Sequence, residues 1–225
     1  MLIYGKQPIQ YLLEKYPQKI QKFYLAKDLD KKDYNSLMNH NFNVKRIPQS
    51  AADIMAKGKN HQGFLADVDD IEPISLKDAC SGEFVLILSS ITDVGNIGAI
   101  IRSAYAFGVD SVIITGLKSL AYEQIVRSSS GALFDINIAF HTNIFDVINE
   151  LKLAKFKIYG ASMDGKDVRS VTFDGKRALI MGSESEGISK RALSKLDESI
   201  SISMSHGFDS LNVSVATAIL IDRMR

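Results

Sequence analysis

The chain has 225 residues, 46% hydrophobic and 24% charged, with a net charge of +1 and a mean hydropathy near zero, which is the ordinary globular range with room for one or two domains. No apolar run approaches the roughly 18 to 20 residues that a membrane span needs, and the opening MLIYGKQPIQYLLEKYPQK lacks the successive basic, apolar and small-residue sections of a secretion signal, so a cytoplasmic location away from membranes is expected. The single Cys80 excludes an internal disulfide, and histidines scattered at 40, 61, 141 and 206 give no metal-ligand spacing, so no metal is expected.

The first stretch alternates between helix-like and strand-like segments. GKQPIQYLLEKY spaces Ile9, Leu12, Leu13 and Tyr16 as one helical face. KIQKFYLA reads as a strand, DKKDYNSLMNHN as a helix, FNVKRIP as a strand, SAADIMAKG as a short helix opened by Ser50, and HQGFLADV as a strand. Residues 1–68 therefore form a small α/β unit. Within it eleven Lys and Arg face six Asp and Glu, leaving sixteen against twenty in the remainder. A basic head on a mildly acidic body suits an anionic polymer, although a solvated lysine-rich surface would look the same.

The acidic, proline-containing stretch at 69–82 reads as a linker, with Cys80 in it as an ordinary thiol. The body, residues 83–225, alternates again. Strands are predicted at FVLILSS, SVIIT, INIAF, KIYGAS, RALIMG and SISIS, and helices at IGAIIRSAYAFG, AYEQIVRSS, NIFDVINELKLA, SKRALSKL and LNVSVATAILIDRM. Continuous apolar strands separated by helices argue for an α/β fold with a mostly parallel sheet covered on both faces, and such sheets collect ligands at the carboxyl ends of their strands.

Three stretches follow strands in this way: SSITDVGNIGAIIRSAYAFG, MGSESEGIS and ISISMSHGFDSLNVSVA. The glycines of GNIG lack the third member of a dinucleotide fingerprint, and no phosphate-loop motif occurs. Ser185 sits in a strand-to-helix turn, but Ser183 stands where a nucleophile elbow needs glycine. The third loop, nearly uncharged and rich in hydroxyl, amide and glycine, could close a turn, grip a phosphate or wrap a ligand through backbone groups; His206 alone among the histidines lies where a ligand could pass.

Taken in order, NIGAIIRSA, MGSESEGIS and ISMSHGFDSLNVSVA resemble the three motifs of SpoU-type (TrmH-type) RNA ribose 2′-O-methyltransferases of the SPOUT superfamily. The likeness runs from about Phe84 to the C-terminus. The head, with IYGKQPI and HQGFLADV, is similar to the L30e-like RNA substrate-binding domain of the branch that methylates a guanosine of 23S rRNA. Two departures are visible: Ser203 stands where the family commonly has proline, and Val94-Gly95 where it has Pro-His.

What the resemblance implies is a SPOUT domain with a deep trefoil knot, S-adenosyl-L-methionine as cofactor, RNA as partner, a role in rRNA processing, and a homodimer. By motif position, Gly182, Ile202, Met204 and Leu211 would contact the cofactor, with Ser162 at the end of KIYGAS as an addition. Arg102 falls on the motif-one arginine. A guanidinium is a poor base, so Arg102 is expected to clamp the neighbouring phosphate and the developing alkoxide. Asn96, Glu184, Ser210 and Asn212 would orient ribose and loop, although each could instead be a cap or turn residue, with Ser183 to Glu186 spaced as a capping box. Competing readings are a tRNA-directed enzyme, a non-catalytic RNA-binding protein with a vestigial pocket, and, on the α/β pattern and GNIG alone, a nicotinamide-dependent oxidoreductase.

Overall fold

The computed structural model describes residues 1–29, 43–205 and 210–225. The helix expected at DKKDYNSLMNHN, together with His40 and His206, lies outside these residues. The described chain divides into two compact units, Met1–Glu72 with Ala121–Phe134, and Pro73–Leu120 with Asp135–Arg225.

In the first unit, strands β1 (Leu2–Tyr4), β2 (Ile20–Leu25), β3 (Val44–Arg46) and β4 (Phe64–Val68) form a sheet of order β1-β4-β2-β3. The β1–β4 and β4–β2 pairs are antiparallel and β2–β3 is parallel. Helix α1 (Lys6–Lys15) follows Gly5, whose φ of 106° is open to glycine at little cost, and buries Ile9 and Leu12 as the 3.6-residue period requires. Helix α2 (Gln49–Met55) starts after Pro48, so Ser50 lies inside the helix instead of capping it. His61 is buried, with Nδ1 accepting from the Gly63 N–H (3.1 Å) and Nε2 3.0 Å from Asp53 Oδ1. The first contact assigns the proton to Nε2, which makes His61 a satisfied core group.

The second unit holds β5 (Phe84–Ser89), β6 (Ser111–Thr115), β7 (Asn137–His141), β8 (Lys157–Asp167), β9 (Arg177–Met181) and β10 (Glu198–Ser201) in the order β10-β8-β9-β5-β6-β7. Every one of these neighbouring pairs is parallel. Five residues from Phe84 through Leu88 in β5 and all of β6 are buried, as a sheet covered on both faces demands. Helices α4 (Val94–Ala106), α6 (Ile144–Leu153) and α8 (Val213–Met224) pack here; α6 turns Val147, Ile148 and Leu151 toward Phe156, Ile158 and Ile180.

Two expectations differ from the structure. Residues 73–82 are no free linker, because Ile74 bridges Ala139, helix α3 (Leu76–Ala79) is capped by Ser75, and Ala79 and Cys80 enter the core. Burial pushes the Cys80 thiol up to about 11, which makes it a core group and no nucleophile. Helix α5 (Tyr122–Ser128), read as part of the body, packs within the first unit, where Arg127 lies over the Tyr4 ring. Among the described residues no helix is long and apolar enough to cross a membrane.

Candidate functional site

The order of the parallel sheet marks one position. From β5 the chain proceeds outward to β6 and β7, whereas β9, on the other side of β5, is followed by β10 at the opposite edge. Connections leaving the carboxyl ends of β5 and β9 therefore diverge, and such a switch point opens a crevice for ligands.

The loop after β5 delivers Asn96. Asp93 caps α4 by accepting the Asn96 N–H (2.7 Å), so Asn96 is a first-turn residue and not the cap itself. The loop after β9 delivers Glu184 from a tight turn in which Ser183 and Gly187 form an antiparallel bridge. A Cβ on Gly182 would stand 2.1 Å from the carbonyl carbon of Gly187, so no other residue fits there without moving backbone. The Ser183 hydroxyl accepts the Glu186 N–H (3.2 Å), which is half of the expected capping box, but 183–187 is a turn; the next helix, α7 (Lys190–Leu193), is capped by Ser189.

Asn212 completes the group. Its Oδ1 accepts from the Ser214 N–H (3.0 Å) and hydroxyl (2.5 Å), which caps α8 and leaves Nδ2 to donate elsewhere. It donates to Asn96 Oδ1 (3.0 Å) and to Glu184 Oε1 (3.1 Å), while Asn96 Nδ2 donates to the same Glu184 oxygen (3.3 Å). The Val213 N–H, at the start of α8, also reaches that oxygen (3.4 Å). The three side chains thus close a ring in which both amide orientations follow from donor and acceptor roles. For Asn212, capping and site-building are one arrangement rather than alternatives. A carboxylate at the N-terminus of α8 also meets the favourable end of the helix dipole. Glu184 and Asn212 are exposed and Asn96 is half-buried, so the ring is open to a ligand on its Glu184 and Asn212 side.

Other expected residues surround this ring to differing degrees. Arg102 is exposed on α4, six residues beyond Asn96 and so about 9 Å further along the axis. Leu211 adjoins Asn212 and is half-buried, and Ser210 is exposed before it. Ile202 and Met204 follow β10, the first half-buried and the second exposed. Ser162 lies where β8 bulges: β10 pairs first with Tyr159 and Gly160 and then with Lys166 and Asp167, so the register shifts between these two pairings. The strands close again at Gly165, where a Cβ would stand 2.5 Å from the Ile200 backbone.

One group was not anticipated. Asp167, at the end of β8, accepts the Ser203 hydroxyl and both the backbone N–H (2.8 Å) and guanidinium (2.8 Å) of Arg169. These donors hold its carboxyl well below the usual carboxylate range, the Arg169 side chain contributing most and Ser203 next. The only sequence signal was Ser203, the departure from proline.

The chain matches the SpoU rRNA methylase family model over residues 83–222 and the RNA 2′-O ribose methyltransferase substrate-binding model over residues 2–74. A protein of Pasteurella multocida named 23S rRNA (guanosine-2′-O-)-methyltransferase RlmB is 30% identical over 97% of this chain and 95% of its own length. An uncharacterized tRNA/rRNA methyltransferase of Borreliella burgdorferi is 34% identical over 80% of this chain and 86% of its own. The crystal structure of the SpoU methyltransferase AviRb of Streptomyces viridochromogenes, in complex with AdoMet, superposes with a TM-score of 0.80 at 23% identity, covering 100% of this chain and 88% of that one. With the larger part of its length matched by the family model, the chain belongs to the SpoU rRNA methylase family.

Proposed function

We propose that the protein methylates the 2′-hydroxyl of a guanosine ribose in 23S rRNA, using S-adenosyl-L-methionine. The observation that carries this reading is the ring of Asn96, Glu184 and Asn212, one residue from each motif, joined at the switch point of the sheet. The names of the near full-length relatives favour the rRNA guanosine.

The residues beside the ring suit the cofactor. The turn at Gly182 brings backbone to the strand end, and Ile202, Met204 and Leu211 offer partly exposed apolar surface with no charge, which matches a neutral adenine and a thioether chain. When bound, the cofactor supplies a methyl group on a sulfonium, open to in-line displacement by oxygen. The chain's own task is to orient. Holding the hydroxyl on that line is worth roughly 7–11 kcal/mol. Asn96 and Asn212, locked by Glu184, present amide groups to the ribose, with Ser210 beside them. Arg102 clamps the adjacent phosphate and balances the charge developing on the 2′-oxygen, while the proton leaves to a phosphate oxygen or water.

The same reading gives the first unit the RNA, since its residues 1–68 carry the excess of Lys and Arg, and it places the enzyme in the cytoplasm. It includes a deep trefoil knot at the third motif and a homodimer. In support of the dimer, Val215 and Ile219 stand one turn apart on α8 and are exposed, as is Tyr105 on α4, the helix that α8 packs against.

Purified protein with labelled S-adenosylmethionine should methylate unmodified 23S rRNA fragments at a guanosine ribose. Label on tRNA alone would overturn the choice of substrate, and no ribose methylation of any RNA would overturn the reading. Arg102→Ala should lower turnover by about 100-fold or more while calorimetry shows cofactor affinity unchanged; retained turnover would remove Arg102 from the mechanism.

A further inference from the structure

We propose that Asp167 is a positioning residue for the cofactor: through Ser203 it fixes the chain leaving β10, and so sets where Ile202 and Met204 lie. The inference rests on the cofactor reading above for its functional half. Its structural half stands on three observations.

First, β10 ends at Ser201, so residues 202–204 have no ladder beyond it to hold them. Second, what does hold this segment comes from β8. The Ser201 hydroxyl donates to the Gly165 carbonyl (2.8 Å), and the Ser203 hydroxyl donates to Asp167 Oδ2. Two alternate residues, Ser201 and Ser203, are thus tied to two alternate residues of the neighbouring strand, Gly165 and Asp167. Third, the acceptor is itself fixed. Asp167 caps the turn Val168–Ser170, its Oδ1 accepting the Arg169 N–H and Nε (2.8 and 3.1 Å) and its Oδ2 the guanidinium Nη2 (2.8 Å); Val168 is buried beneath. An ionised acceptor in that frame makes a stronger and better aimed bond to a hydroxyl than a neutral one would.

Chemically, a proline after Ile202 would restrict the segment through its ring, which locks φ near −65°. Serine has no such restraint, and the bond to Asp167 supplies one from outside the residue. Met204 is 37% exposed and Ile202 half-buried, so both could shift if the segment were released.

A double-mutant cycle tests this. Ser203→Ala should weaken S-adenosylmethionine binding about five- to tenfold, the scale of one ordinary hydrogen bond, because this one is exposed to solvent, with kcat at saturating cofactor changed less than about twofold. Ser203→Thr should restore affinity, because it keeps the hydroxyl. Asp167→Ala should match Ser203→Ala, and the double variant should lose no more than either single one. A cofactor-free readout accompanies it: amide hydrogen exchange at 202–204 in the free protein should quicken in Ser203→Ala and return to the parent rate in Ser203→Thr. Losses that multiply in the double variant would mean that Asp167 acts only through its own turn, and unchanged exchange in Ser203→Ala would overturn the restraint. A parent protein that fails to bind S-adenosylmethionine while showing the exchange difference would overturn the cofactor reading and leave only a structural tie, so the two failures are distinguishable.

Discussion

The chain leaves β9 and β10 at the same carboxyl edge of the sheet, yet the two exits are held by different means. After β9, the turn is set by backbone against backbone: Gly182 lies so close to Gly187 and to the N–H of Ile188 that a methyl group has no room. After β10, the chain is set by side chains, Ser201 on Gly165 and Ser203 on Asp167. A backbone contact cannot be retuned by one substitution without breaking, whereas a hydroxyl-to-carboxylate tie can be lost or replaced singly. The first kind of exit carries Glu184, which must meet two amides at once, and the second carries apolar residues that need only approximate placement. The difference teaches where this site tolerates sequence change.

The sharpest way to break the comparison is at Gly182. Gly182→Ala should cost about 3 kcal/mol or more, since the nearest atoms are backbone with nowhere to go, and it should abolish methylation in whatever folds. Denaturant unfolding measures the first and a methylation assay the second. A folded, active Gly182→Ala protein would show that the β9 exit is as adaptable as the other.

A smaller effect is expected at the tip of the same turn. Glu184→Ala removes the acceptor shared by Asn96, Asn212 and the Val213 N–H, leaving both amides unaligned. Turnover should fall about 10- to 100-fold, as for loss of roughly 1.5–3 kcal/mol of charge-assisted hydrogen bonding. Glu184→Gln, which keeps a carbonyl oxygen at the same reach, should recover part of this. Equal loss in both variants would point to the charge itself rather than to the alignment of Asn96 and Asn212.

The same contrast explains what could be read from the residues. The strands β5, β6 and β9 were legible because VLIL, VII and ALIM are continuous apolar runs, and helix α6 because Val147, Ile148 and Leu151 repeat at helical spacing. Helix α3 was hidden by brevity: Leu76–Ala79 is a single turn among Pro73, Lys77 and Asp78, too short for a periodic signal. The extension of β8 to Asp167 was hidden because ASMDGKD has no strand-like alternation; its order comes from pairing with β10 after a bulge. Ser50 looked like a cap, but that helix starts at Gln49, one residue before it, with Pro48 in the cap position. The ring of Asn96, Glu184 and Asn212 spans 116 residues from first to last, so no spacing rule reaches it; only resemblance placed the three together. Asp167 and Ser203 were beyond even that, because their bond exists where the motif is not followed.

Acid should separate the two exits most gently. Glu198, at the start of β10, has its pKa lowered by hydrogen bonds from Lys166 and then Lys157, and Asp167 at the other end is held lower still. A carboxyl whose folded pKa is depressed contributes stability that is fully present above its unfolded pKa of about 4 and is lost as pH falls through the folded value. Between pH 8 and 5 both groups stay ionised, so neither should loosen β10. Below about pH 4, protonation should proceed first at Glu198, because Asp167 is held further down, and the β10 ladder should open before the tie at Ser203. The packing of Gly182 on Gly187 has no proton to gain. Hydrogen exchange, corrected for the intrinsic effect of pH, should therefore rise at 198–201 before 202–204 and leave Gly187 protected until global unfolding. Simultaneous loss at all three places would mean that the exits are one cooperative unit and that their different chemistry has no separate mechanical consequence.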